Sequence, residues 1–279
     1  EKLVTVDMYR NLLDTLGHDV SVALKAGLVQ RTDLLKVQLK QNELEVNRFK
    51  LTNGIALSKR ALCQHIGIPY DSTLILTGVI LQAEDPGPLF VNADEAVINR
   101  NEYHMLENAV KAEKLQKKML LGEYMPQVAV GVAGMYTDVM DNTDEMGMAF
   151  ATVTVPISDW WGGAHKLKMS KAKIESAGYQ LNETSELLTL QITQAANELD
   201  ETYFQTVIAQ KSLEQAEENL KVTLSNYKAG VAGMSDLLEA QAACQDSRNN
   251  LIDAQCNYQI KKAKYLQTIN NYGYKNTKM

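Results

Sequence analysis

Between 163 and 228 the chain runs without a proline or a strong helix breaker, and this stretch limits the available folds more than any other feature. Leu181, Leu188 and Ala195, then Leu213, Leu220 and Tyr227, recur at sevens, with Ile192, Leu199 and Leu224 between them. At 1.5 Å per residue the run amounts to about 100 Å of helix. A helix that long, apolar on a seven-residue period, must bury a narrow seam against other long helices, as coiled coils do. The last helix, expected over 234–271, carries the same period in Leu237, Gln241, Cys244, Leu251, Tyr258 and Tyr265.

A second feature is internal repetition. The segment Ala26-Gly27-Leu28-Val29-Gln30-Arg31-Thr32-Asp33-Leu34-Leu35 returns as Ala229-Gly230-Val231-Ala232-Gly233-Met234-Ser235-Asp236-Leu237-Leu238. The correspondence continues from Gln38 to Gln241 and from Asn47 to Asn250. One structural unit is used twice, so what the first turn does its copy is expected to do beside it.

The remaining elements follow from breakers and period. A helix over 1–25 stops at Ala26-Gly27, where glycine suits a C-terminal cap. Thr32 or Asp33 is expected to cap a second helix, carried by Leu35, Leu39, Val46, Phe49, Leu62 and Ile66 to Gly67 and Pro69. A loop-rich stretch over 68–92 holds Pro86-Gly87-Pro88 and a short strand at 74–81, and Asn92 or Asp94 opens a third helix reaching about Gly122. Residues 126–136 then alternate valine with alanine or glycine, the two-residue period of a strand, and 148–157 do the same after a polar turn at 137–147. Trp160-Trp161-Gly162-Gly163 ends this hairpin. The helices at 94–122 and 234–271 together equal the one at 163–228 in length, which suits two short helices stacked end to end along a long one.

Composition narrows function. Aromatic residues are only 6% of the chain against 45% hydrophobic, which fits narrow helical seams better than a wide globular core. A net charge of −6 with no visible basic face argues against nucleic acid. Cys63, Cys244 and Cys256 show no metal or disulfide spacing and read as small buried apolar residues. No enzyme motif is present: Gly131-Val132-Ala133-Gly134 lies within a strand pattern, and His18, His65, His104 and His165 are scattered. No catalytic residue, cofactor or metal ligand is therefore expected. Asp138, Asp141, Asp144 and Glu145 lack the glycine and spacing of a calcium loop and read as a solvated loop. No run is apolar enough for a transmembrane helix, no signal peptide opens the chain, and its first residues already read as mid-helix, as though it began inside a larger protein.

These elements carry a family resemblance. A helix with Asn99-Arg100-Asn101-Glu102-Tyr103 near its start, a strand opened by Pro126 and a second closing in Val155-Pro156-Ile157 are three parts of it. Tyr227 three residues before Gly230, followed by Ser235-Asp236-Leu237-Leu238 and Ala240-Gln241, completes it. Their order resembles the TolC-type outer-membrane efflux proteins across nearly the whole chain, with Asn101 standing where that family usually has proline. The resemblance implies a mainly α fold with a β-hairpin: long antiparallel coiled-coil helices of an α-barrel plus two strands of an outer-membrane β-barrel. It implies an N-terminally truncated member, with 1–67 a partial first repeat, 68–93 an equatorial linker and 94–279 a complete second repeat. By the same resemblance the whole protein is a homotrimeric passive conduit of a tripartite efflux or type I export system of a Gram-negative bacterium. It would span outer membrane and periplasm, meeting outer-membrane lipid, a periplasmic adaptor and an inner-membrane pump of RND or ABC type. The alternative is a periplasmic coiled-coil adaptor or structural protein without a pore.

The resemblance also assigns residues. Thr32, Asp33, Tyr227, Asp236 and Glu239 fall where the family closes its periplasmic gate; Asp33 and Asp236 can equally be helix caps, and Glu239 a solvated charge. Where the family often has an arginine to hold Asp33, Ala232 stands beside Gly233, leaving Arg31 to take the ion pair or the gate more weakly held. Gly27, Leu28, Val29, Gly230 and Val231 form tips that would dock the adaptor, although a helix-ending turn with its own apolar contact would look the same. Trp160 and Trp161 suit a membrane-interface girdle, or an ordinary buried anchor.

Overall fold

A computed structural model describes residues 1–76, 82–139, 142–157 and 160–269. They form two compact units, one comprising Glu1–Phe90 and Ala195–Leu266, the other built on Val91–Gln194.

The first unit begins with a helical hairpin, α1 (Lys2–Lys25) and α2 (Arg31–Ile66). On α1 the buried Val6, Tyr9, Leu13 and Val20, with half-buried Leu16, alternate spacings of three and four. This is the period of a coiled-coil seam. They pack against Val37 and Leu44 of α2, while polar pairs line the flanks: Arg48 to Asp7 and Arg10 to Glu45, each at 2.7 Å, and the Gln41 amide to Asp14 at 2.8 Å.

Two further helices meet this hairpin, the C-terminal part of α5 (Trp160–Lys228) and α6 (Met234–Thr268). Along α5 the buried Ala195, Leu199, Thr202, Thr206 and Leu213, with half-buried Ala209, Ala216 and Leu220, keep the three-four alternation. The two threonines do not break the seam, because each hydroxyl donates to a carbonyl of its own preceding turn at 2.9–3.0 Å. On α6, Leu237, Cys244, Leu251, Tyr258 and Tyr265 lie buried at sevens. Cys63 is also buried, but Cys256 is exposed, so the expectation of three buried cysteines fails at that position.

The loop-rich stretch is fastened by α6. The Tyr258 hydroxyl donates to the Glu84 carbonyl at 2.6 Å and that of Tyr265 to the Leu89 carbonyl at 3.3 Å, with Phe90 edge-on to the Tyr265 ring at 5.6 Å. Pro86-Gly87-Pro88 enters a single 3₁₀ turn, Gly87–Leu89. Of the strand expected at 74–81, residues 74–76 are irregular and 77–81 lie outside the described residues. Before them Asp71 turns the chain by accepting from the Thr73 N–H and hydroxyl, a local bond that competes with strand pairing.

In the second unit the helix expected over 94–122 is two helices, α3 (Ala93–Ile98) and α4 (Asn101–Glu123). Asn92 caps α3 by accepting from the Asp94 N–H at 3.0 Å. Arg100, with ψ at 142°, is extended and breaks the helix, and its guanidinium holds Glu102 in the first turn of α4 at 2.6 Å. A carboxylate there complements the free N–H groups of the new helix, and its pairing with Arg100 draws its pKa below the usual range.

Strands β1 (Gln127–Val139) and β2 (Asn142–Thr154) pair antiparallel from Gln127↔Thr154 to Val139↔Asn142. Pairing therefore runs through most of 137–147, expected as a turn; the side chains of 137–145, the acidic ones included, lie outside the described residues. The second strand stops at Thr154 and not at Ile157, because Pro156 has no N–H to extend the ladder. One face aligns Val128, Val130 and Val132 with Val153, Ala151 and Ala149; on the other, the Phe150 ring covers Gly131 so closely that an added Cβ would sit 2.6 Å from it. At the helical end of the hairpin the ring of Tyr124 packs on Gly163, which is buried. Helix α5 opens at Trp160, three residues before its expected start, and the side chains of Trp160 and Trp161 lie outside the described residues.

Leu199 is fully buried and Leu190 on the same helix is 63% exposed. Leu199→Ala is expected to lower unfolding free energy by about 2–5 kcal/mol. Leu190→Ala should change it by less than about 0.5 kcal/mol, both read by chemical denaturation.

Candidate functional site

The two copies of the repeated segment fold into the same turn. At the end of α1, the Leu28 N–H donates to the Ala23 carbonyl at 2.9 Å and the Gly27 N–H to the Leu24 carbonyl at 3.0 Å. At the end of α5, the Val231 N–H donates to Asn226 at 2.9 Å and the Gly230 N–H to Tyr227 at 3.0 Å. This crossed pair is the Schellman cap, and its left-handed residue is Gly27 in one copy and Gly230 in the other, at φ 73° and 74°. A Cβ in that conformation costs roughly 1–2 kcal/mol, which explains why both copies keep glycine there. The apolar contact that often accompanies this cap is not made: Leu28 and Val231 are each 78% exposed. Val29 turns inward and packs on the core.

The acids that follow are not the terminal caps the sequence suggested. Helix α2 starts at Arg31 with Gln30 before it, so Asp33 is the third helical residue, and Thr32 bonds sideways to the Gln30 side chain at 3.2 Å. Asp236 is likewise third in α6 and reaches back to accept from the Gly233 N–H at 2.9 Å, the reciprocal half of a capping box. Both acids still sit in a first helical turn, where the backbone dipoles favour negative charge.

Lys36 joins the two turns. Its ammonium donates to the Ser235 hydroxyl at 2.8 Å and lies 3.8 Å from the Asp33 carboxylate. Arg31, the other candidate partner for Asp33, is exposed and makes no ion pair with a described residue. Tyr227, half-buried against the same core, completes the group: burial first, then the charges of Asp33 and Asp19, hold its phenol above the ordinary tyrosine range. The structure thus brings Thr32, Asp33, Tyr227 and Asp236 into one group of turns and leaves Glu239 exposed one helical turn beyond Ser235.

Lys36 and Ser235 were not singled out by the sequence reading, yet the repeat carried a signal for both. Ser235 aligns with Thr32, and Lys36 aligns with Glu239, so equivalent positions of the two copies bear opposite charge.

Among the described residues, no group of three or more His, Cys, Asp or Glu side chains could hold a metal ion. No described helix is long and apolar enough to cross a membrane, which bears on helices and not on β-barrels.

The sequence model of the outer membrane efflux proteins matches residues 100–270, from the Arg100 break through the hairpin and α5 to the end of α6. The chain belongs to the outer membrane efflux protein family. Solved structures agree on the fold of this efflux protein. The outer membrane protein VceC of Vibrio cholerae superposes with a TM-score of 0.78 at 15% identity, over 96% of this chain and 65% of that one. The CmeC outer membrane channel of Campylobacter jejuni gives 0.73 at 12%, over 96% and 58%. The open state of the MtrE outer membrane channel of Neisseria gonorrhoeae gives 0.75 at 13%, over 96% and 63%. This efflux protein chain therefore spans less than two thirds of each of those chains. No curated protein gives a significant match.

Because the Tyr227 phenol is held above its ordinary value of 10.0, the folded state keeps a proton that the unfolded chain releases. The stabilisation is complete below that pH and is lost as pH rises through the folded value. Tyr227→Phe is expected to flatten the alkaline fall in denaturation midpoint, measured as midpoint against pH.

Proposed function

We propose that this chain is part of a passive outer-membrane conduit of a tripartite efflux or type I export system, closed at the paired turns of α1–α2 and α5–α6. In this reading β1 and β2 contribute to a β-barrel, the helices to a periplasmic α-barrel, and three full-length copies complete the channel. Leu28 and Val231, with Gly27, Val29 and Gly230 shaping their turns, meet a periplasmic adaptor coupled to an inner-membrane pump. Trp160 and Trp161, at the junction of hairpin and α5, sit at the membrane interface.

The observation that carries the gate reading is the Lys36 bridge between Asp33 and Ser235. A single ammonium ties two turns far apart in sequence, and such a contact can open and close without unfolding either helix pair. The second turn is more acidic than the first, since Asp236 is followed by Glu239 where Asp33 is followed by Lys36. Carboxylates repeated by threefold symmetry around a narrow lumen favour cations and attract multivalent ones. The adaptor alternative fits less well, because a paired hairpin of two 13-residue strands between long helices is unlike the compact sandwich that follows an adaptor's helices.

Single-channel recording of the full-length trimer in planar bilayers tests both parts. Lys36→Ala should raise conductance by loosening the bridge, and Asp236→Ala should weaken cation preference and block by multivalent cations. Conductance and selectivity unchanged in both variants would remove the gate from these turns.

A further inference from the structure

The hairpin is flanked by an unusual distribution of charge. No lysine or arginine occurs between Lys118 and Lys166, a stretch that contains both strands. Immediately outside it lie Lys111, Lys114, Lys117 and Lys118 on α4 and Lys166, Lys168, Lys171 and Lys173 on α5, in a chain whose net charge is −6.

These lysines are not spread evenly around the two helices. On one side a groove of about 540 Å³ is lined by Lys114, Lys117, Lys118 and Leu121 of α4 and by Lys171, Ile174 and Glu175 of α5. Four ammonium groups there face one carboxylate, and none of the four makes an ion pair with a described residue. The opposite side holds Lys166 and Lys173 with Glu113 and Glu123, so its charges balance. A helix pair with mixed charge on one face and nearly pure positive charge on the other presents that face to an anion.

We propose that this lysine face binds the anionic phosphodiester headgroups of the bilayer leaflet on the helical side of the hairpin. The proposal rests on the reading of β1 and β2 as barrel strands. Each strand has 13 residues, more than the roughly 9–11 that cross a bilayer, so the helix ends emerge at the headgroups. Lys118 lies roughly 8 Å along α4 from its end at Glu123, and Lys117 roughly 9 Å. Both lie within about one Debye length of that end and act through the surface potential of the headgroups. Lys114 and Lys171 lie roughly 13–17 Å from the helix ends, beyond the roughly 8 Å over which the surface potential decays at physiological salt, and so contribute less than Lys117 and Lys118. Hydrocarbon excludes lysine from the strands, and anionic headgroups retain it next to them; one constraint accounts for both halves of the distribution.

The test uses the full-length protein reconstituted in bilayers of phosphatidylcholine mixed with phosphatidylglycerol, with one lipid at a time brominated to quench Trp160 and Trp161. Brominated phosphatidylglycerol should quench more effectively than brominated phosphatidylcholine, with a preference of roughly fivefold per lysine engaged. High salt should abolish the preference, as should Lys114→Gln, Lys117→Gln, Lys118→Gln and Lys171→Gln combined. Lys166→Gln with Lys173→Gln, on the balanced face, should keep it. Equal quenching by the two lipids in the unchanged protein overturns the lysine assignment while leaving the barrel reading intact. So does a preference that survives the quadruple change, even where that change alters the channel's ion selectivity and so marks the lysines as lumenal. Quenching by neither lipid overturns both, because the hairpin then does not reach a bilayer.

Discussion

A seam one side chain wide organises the helices. On α5 the residues that turn inward, from Leu188 through Ile192 and Ala195 to Leu213, are small, apolar or self-satisfied threonine, and each is three or four positions from the next. That alternation holds two helices in register along their contact and fixes which face is buried. It also leaves much apolar surface uncovered. On α2, Val37 and Leu44 are in the core while Leu35, Leu39, Val46 and Phe49 are each more than half exposed. A helix with one stripe in its own seam and a second apolar stripe outside asks for further helices on that second side, which a closed α-barrel supplies.

The duplicated turn shows how a repeat diverges without losing its backbone. Gly27 and Gly230 keep the same left-handed conformation and the same two crossed hydrogen bonds, because no other residue takes that conformation so cheaply. Charge is free to change around that fixed geometry. Asp33 and Asp236 stay as first-turn acids, but the next position on that helix face is Lys36 in one copy and Glu239 in the other. The substitution lets one turn supply the cation that holds the other, as Lys36 holds Ser235.

Much of the fold was legible in the sequence because it rests on local rules. The seven-residue period placed α5 and α6 within a few residues of their ends, and the valine alternation placed the hairpin. The errors fall where a longer-range or competing contact decides. Arg100 is extended and pairs with Glu102, so one expected helix became α3 and α4, a division that hydrophobic period does not signal. Tyr258 and Tyr265 read only as seam residues, yet their hydroxyls fasten a loop distant in sequence. At the turns, the internal repeat and the family resemblance pointed to the acids and the glycines, but which residue caps depended on where α2 begins, and the partner of Asp33 depended on how Lys36 reaches across to α6. A flexible four-carbon stem leaves no periodic trace in the sequence.

The hairpin sets the strongest demand on anything this chain joins. Each strand offers one edge to its partner, and among the described residues nothing pairs with the other edge. In water such edges recruit other strands, and in hydrocarbon each unpaired N–H or C=O costs several kcal/mol. The side chains do not resolve the conflict, because Val128, Val130 and Val132 are all at least 70% exposed and the opposite face carries Phe150 and Met148. A sheet with valines exposed on one face, and with Phe150 and Met148 among alanine, glycine and threonine on the other, is not suited to water on either side. It suits a barrel wall, provided other strands close both edges. Gly131 under the Phe150 ring fits the same requirement, since a tight cross-strand contact fixes register where one slip would turn every valine to the wrong face.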